Sequence, residues 1–325
     1  MEWLLLDWMG KPAWMWAGFL ALVVGLLALD LGVFNRRDHE IGVRESLALS
    51  AFYVAIALIF GAGVWAWLGA DSAIEYLTAY AVEKSLAMDN VFVIALIFAA
   101  FSIPRRYQHR VLFWGVLGVI VLRAVMIGGG AALVERYDWV LYVFAGFLIL
   151  TGIRMFFVRD EETDIADNRL LLWLRRRMRV TPELHGHAFV VRAAGRSGRV
   201  RLHATPLLLA LVAIEFADVI FAVDSVPAVF AITTDPYVVY TSNIFAILGL
   251  RALYFALAAV IHRFAYLKQA LAVLLVFIGG KVFAAPLLGL EKIPPVVSLT
   301  ATAAILGAGI LWSLWRTRAE AGPPR

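Results

Sequence analysis

Two acidic segments lie inside otherwise apolar sequence, EKSLAMDN from Glu83 to Asn90 and EFADVIFAVDSVP from Glu215 to Pro227. They put Glu83, Asp89, Glu215, Asp218 and Asp224 where a bilayer-spanning helix needs hydrocarbon. A charge at a helix centre costs about 2.5–3.5 kcal/mol on insertion scales, so these five with Arg123 and Arg251 would cost on the order of 20 kcal/mol if they faced lipid. A typical domain is stable by only about 5–15 kcal/mol. The charges must therefore face one another, water or an ion.

The bilayer enters through composition. The 325 residues are 62% hydrophobic and only 16% charged, whereas a soluble domain carries about 25% charged residues. Runs of the length needed to cross about 30 Å as helix fall near 13–33, 46–68, 73–101, 110–133, 138–157, 205–232, 238–261, 267–290 and 296–315. The expected fold is an all-α polytopic membrane protein with nine transmembrane helices. The start, MEWLLLDWMGKPAW, lacks the pattern of a cleaved signal, so the first run is expected to be retained.

Lys and Arg set the orientation, since basic loops stay cytoplasmic. Arg36, Arg37 and Arg44 follow the first run, Arg105, Arg106 and Arg110 the third, Arg263 and Lys268 the seventh, Arg316 and Arg318 the ninth. This predicts an outside N-terminus and a cytoplasmic C-terminus. The same asymmetry accounts for the +5 net charge without nucleic acid as a partner. Zero cysteines exclude disulfides, thiolate metal sites and a cysteine nucleophile.

The organisation is expected to be two N-terminal helices over 1–68, a three-helix unit over 69–157, a cytoplasmic loop over 158–204, a second three-helix unit over 205–290, and a ninth helix and tail over 291–325. The loop reads as an amphipathic helix, LLLWLRRRMR, and a short hairpin, HAFVVRAA and RVRLHA about a GRSG turn. Its histidines, His185, His187 and His203, are either solvated or a metal sensor. The two units share an order. Glu83-x5-Asp89-Asn90 matches Asp218-x5-Asp224-Ser225, Leu122-Arg123-Ala124 matches Leu250-Arg251-Ala252, and Gly152-Ile153-Arg154 matches Gly279-Gly280-Lys281. A unit of three helices puts its second copy upside down in the membrane. Such inverted repeats underlie secondary transporters that bind substrate near the midplane and rock one repeat against the other.

Because the third and sixth spans run antiparallel, Glu83 is expected at the depth of Asp224, and Asp89 at that of Asp218 and Glu215, in two layers about 9 Å apart. Pro227 cannot donate to the carbonyl of Val223, which frees an oxygen beside Asp224. Asn90, Ser85 and Ser225 add neutral oxygens. This hard, oxygen-only set suits manganese, magnesium or calcium. Arg123 and Arg251 either neutralise the empty carboxylates and release them to an ion, or form permanent ion pairs. Asp30 either reaches the interface or lies on the pathway.

EKSLAMDNVFV, EFADVIFAVDSVPAVFAITTDP, TSNIFAILGLRALYF and YDWVLYVFAGFLILTGIRM closely resemble the TerC family of integral membrane proteins, in particular its Alx-type members, bacterial manganese exporters. The resemblance covers nearly the whole chain. It implies metal-site roles for Glu83, Asp89, Asn90, Glu215, Asp218 and Asp224; the reading of the residues themselves puts Arg123, Arg251, Pro227 and Ser225 in coupling or gating. The resemblance also implies manganese(II) as transported substrate, no organic cofactor, and the bacterial inner membrane as location. The expected function is a non-enzymatic secondary transporter that exports manganese(II), coupled to protons. The alternative is a membrane assembly factor for insertion or metallation of exported proteins. No Walker-type loop and no GxGD context around Asp89 or Asp224 suggests an ATPase or an intramembrane protease.

Overall fold

The computed structural model describes residues 7–30, 42–137, 139–157, 180–181, 183–194, 200–257 and 267–320; the side chain of Asp89 falls outside that set. Ten helices dominate it: α1 (Ala13–Leu29), α2 (Val43–Leu68), α3 (Ala70–Ala100), α4 (Arg105–Arg136), α5 (Trp139–Phe157), α6 (Pro206–Phe230), α7 (Pro236–Leu248), α8 (Leu250–Leu257), α9 (Leu267–Leu287) and α10 (Pro295–Glu320). Local sequence sets several of the boundaries. Pro206, Pro236 and Pro295 open their helices, where a missing N–H costs nothing. The Asp235 carboxylate caps α7 by accepting from the amides of Tyr237 at 2.9 Å and Val238 at 3.4 Å. Gly69, with φ +92°, turns α2 directly into α3 through a conformation that L side chains rarely adopt.

Seven of the described units are long and apolar enough to cross a membrane: α2, α4, α5, α6, α7 with α8, α9 and α10. The two others that the sequence reads as spans fall short for different reasons. Helix α1 has 17 residues. Helix α3 has 31, ample length at 1.5 Å per residue, but carries Asp71, Glu75, Glu83, Lys84 and Asp89. It can sit in a bilayer only with its charged face turned to other helices.

The seventh run departs from expectation. Instead of one helix over 238–261, α7 stops at Leu248 and α8 begins at Leu250, with Gly249 between them. Together they are the most enclosed unit, 83% of their apolar window being buried, against 22% for α5 and α10. Helix α7 packs on α3, as α6 packs on α4. Helices α5 and α9 meet most closely. A Cβ on Gly152 would lie 2.7 Å from the Ala272 carbonyl oxygen and 2.8 Å from Val276, and one on Gly279 would lie 2.5 Å from the Ala145 carbonyl oxygen and 2.8 Å from Ile149. The glycines let the backbones approach as small residues do between membrane helices.

Outside the bundle, β1 (Asp7–Trp8) pairs antiparallel with β2 (Lys11–Pro12), and β3 (Val190–Ala194) with β4 (Val200–Ala204). The amphipathic segment read at LLLWLRRRMR lies outside the described residues. The hairpin histidines do not converge: His185 Nδ1 is 3.0 Å from the Glu183 carbonyl oxygen, His187 stacks edge-on to Tyr107, and His203 stands opposite Val191 in the β3–β4 ladder.

Candidate functional site

Arg123 of α4 is 1% exposed and sits at the centre of the bundle's charge. Its Nε and Nη2 donate to Asp218 Oδ2 and Oδ1 of α6, both at 3.1 Å. Its Nη1 donates to Glu83 Oε1 of α3 and, at 2.8 Å, to Ser225 Oγ of α6. The planar guanidinium suits such a fork, because two parallel N–H bonds match one carboxylate. Three helices are thus tied at one cation. Two carboxylates face a single guanidinium, and Glu83 Oε2 has no hydrogen-bond partner among the described residues. A buried carboxylate oxygen without a donor is costly, so the cluster as it stands carries an excess negative charge that a proton or a further cation would neutralise.

Glu215 lies one turn before Asp218 on the same helix. Its Oε2 is likewise buried without a partner among the described residues. Its carboxylate occupies the space that a Cβ on Gly118 of α4 would fill, so the glycine makes room for it. The sequence reading missed Gly118.

Other expected ligands stand elsewhere. Asp224 accepts from Thr151 Oγ1 of α5 at 3.3 Å, with Arg154 as the nearby cation. Asn90 is buried on α3, beside Asp89, whose side chain is outside the described set. Pro227 lies within α6 and, having no N–H, cannot be the helical donor to the Val223 carbonyl. The expected layering needs correction. Glu83 meets Asp218 and Ser225, and Asp224 turns to α5. The reason is the helix ends: α3 begins at Ala70, three residues earlier than read, so Glu83 is thirteen residues into α3 and Asp218 twelve from the end of α6. Both therefore stand about 20 Å along their helices from one face.

Arg251 also departs from its counterpart. It pairs with Asp30 at the end of α1, and Asp30 accepts from the Tyr53 hydroxyl of α2. Beside it, Lys84 Nζ donates to the Ala246 carbonyl in the last turn of α7 at 3.2 Å. A Cβ on Gly249 would lie 2.5 Å from that ammonium. The break in the seventh run is therefore filled by a lysine from α3, at the helix end where carbonyl dipoles favour a cation. Lys84 was visible within EKSLAMDN, since an amine there costs as much as the carboxylates around it.

Among the described residues no group of three or more His, Cys, Asp and Glu is close enough to hold a metal directly. The central cluster is instead a two-carboxylate site closed by an internal guanidinium.

A bundle of apolar helices around fully buried charge defines a multi-pass integral membrane protein. Comparison with known proteins narrows this class. The chain belongs to the TerC family, described as "Integral membrane protein TerC family", whose model matches residues 68–321. It is 48% identical over 309 residues to the uncharacterized membrane protein STKORF319 of Myxococcus xanthus, covering 95% of this chain and 94% of that one. It is 45% identical over 301 residues to an uncharacterized membrane protein of Rickettsia bellii, covering 93% and 97%. With Escherichia coli K12 "Putative membrane-bound redox modulator Alx" it shares 44% identity over 315 residues, covering 94% and 95%. No solved structure matches the chain.

Proposed function

We propose that this protein is a secondary transporter of the bacterial inner membrane that exports manganese(II) in exchange for protons by alternating access. The observation that carries the reading is the gathering of Glu83 and Asp218, from helices far apart in sequence, on Arg123 inside a membrane bundle. Arg123 acts as an internal counter-ion. A divalent ion drawn to Glu83 and Asp218 competes with the guanidinium for the same oxygens, with Glu215 one turn away on its path, and its departure lets Arg123 close again. The oxygen donors suit manganese(II) among hard ions. Carboxylates bind metal only when deprotonated, so metal and protons compete for them, which supplies the exchange.

In this reading all nine apolar units cross the bilayer, N-terminus outside, and residues 69–157 and 205–290 form inverted repeats. The reciprocal Gly152 and Gly279 contacts support the inversion. Positions 145, 149 and 152 recur 127 residues later at 272, 276 and 279, each set touching the other. Two helices can exchange contacts in this way about a two-fold axis perpendicular to antiparallel strands of helix, the axis an inverted repeat requires. Glu83 and Asp218, equivalent in the repeat, meet at the same cation.

The Escherichia coli relative's name speaks of redox modulation. This chain has no cysteine and so cannot act by thiol exchange, whereas control of a redox-active metal reconciles that name with transport. The test is manganese(II) flux in proteoliposomes with and without a pH gradient. Flux that follows the gradient is expected; no flux above empty liposomes under either condition overturns the reading.

A further inference from the structure

The bundle end that carries the start of α3 holds a cavity of about 390 Å³. Its wall includes Glu75 and Thr78 of α3, Thr233 after α6, Lys281 of α9 and Ser298 of α10, with Lys292 from the α9–α10 loop. Glu75 is 7% exposed, and its carboxylate receives the Lys292 ammonium. Lys281 is fixed differently, donating to Ser298 Oγ at 3.1 Å. The two lysines are unequal: the Lys292 side chain is 64% exposed while that of its partner Glu75 is 9% exposed, so the ammonium can leave for water at little cost, whereas the carboxylate stays buried and needs a cation.

The cavity adjoins the helices of the central cluster. Glu75 and Glu83 share α3, eight residues or about 12 Å apart. Phe230, on the helix that carries Asp218, borders the cavity and packs its ring on Gly130 of α4.

We propose that this cavity is a second, transient cation site, where Glu75 takes a hydrated divalent ion once Lys292 swings off. Glu75 already holds a cation here, one tethered to the chain. The described carboxylates are too dispersed to ligate one ion directly, so the ion keeps its water, as small divalent ions do, and the threonine hydroxyls meet that water. Lys281 stays in place and keeps one positive charge in the wall. Binding is thereby weak enough for the ion to leave, which a site on a permeation path needs. The site deepens the transport reading, whose path it places at this mouth, but its occupancy is measured separately.

The chain has no cysteine, so Lys292→Cys gives one labelling position on an exposed loop. The purified full-length variant is capped with either a neutral methylthio or a cationic aminoethylthio group, and bound manganese(II) is counted by equilibrium dialysis. The neutral cap should add about one weakly bound ion per chain, the cationic cap should remove it, and Glu75→Gln should abolish it under either cap. The same count under both caps overturns the proposal. If the count responds while the wild-type protein carries no flux, the transport reading fails and the site stands. If flux is present and the count does not respond, the site fails and the transport reading stands.

Discussion

Gly152 of α5 and Gly279 of α9 lie so close to each other's helices that a Cβ at either would meet a backbone carbonyl and a branched side chain of the facing helix. The carbonyls cannot rotate away as a side chain can. An added methyl at either position must part the helices, and overpacking of this kind costs about 1–3 kcal/mol. Gly152→Ala and Gly279→Ala should therefore destabilise the protein to similar extents, read from unfolding of the reconstituted protein in denaturing detergent. Wild-type stability in both variants would contradict the packing.

Arg123 balances two buried carboxylates, and removing one partner of a buried pair costs about 3–5 kcal/mol because charge is left uncompensated. Arg123→Ala should lower membrane yield and thermal stability sharply. Arg123→Lys keeps the charge but loses the fork to Asp218; the protein should fold, with manganese(II) flux reduced at least tenfold. Equal flux in Arg123→Lys and wild type would show that the guanidinium geometry has no part in transport.

Gly118→Ala tests Glu215. The obstructed group is the far end of a flexible side chain, so it can swing aside and stability should change by less than about 1 kcal/mol. Flux should still fall several-fold, and Glu215→Gln should match it. Combined, the two should do no more harm than either alone, since both remove one carboxylate from one place. Additive losses measured in the double variant would place Glu215 outside the path.

Asp89→Asn and Asp224→Asn are each expected to abolish manganese(II) efflux while the protein still reaches the membrane. Cells expressing either variant should be as sensitive to external manganese as cells lacking the protein. Normal efflux in either, at normal abundance, would overturn the site assignment.

What the sequence made legible follows from energetics. Buried charge is so costly in a bilayer that Glu83, Asp218 and Arg123 announced themselves, and the helices followed from length and apolarity. Partners across the bundle were harder to see. Nothing in the local sequence links Asp30 to Arg251, 221 residues away. The depth of Glu83 depended on two helix ends: α3 starts three residues before the expected 73 and α6 ends two before the expected 232, and the two displacements together move the facing residue by more than a full turn. In the sequence Gly249 stands between Leu248 and Leu250 with no turn residue beside it, so the helix break it allows leaves no signal. Lys84 stands among candidate metal ligands without being one, since an ammonium cannot ligate a metal, and so gives no signal in that pattern.

The Asp30–Arg251 pair also bears on how the protein is made. A nascent chain emerges from its N-terminus, so Asp30 is inserted long before its guanidinium partner exists, and contacts of such sequence separation form late. Helix α1 can settle against the bundle only after the seventh span has been synthesised. In ribosome-stalled chains ending before Leu250, a thiol placed at the buried Leu26 by Leu26→Cys should react with a membrane-permeant maleimide, whereas in chains extending well beyond α8 it should be shielded. The first helix inserted would then be among the last to find its place.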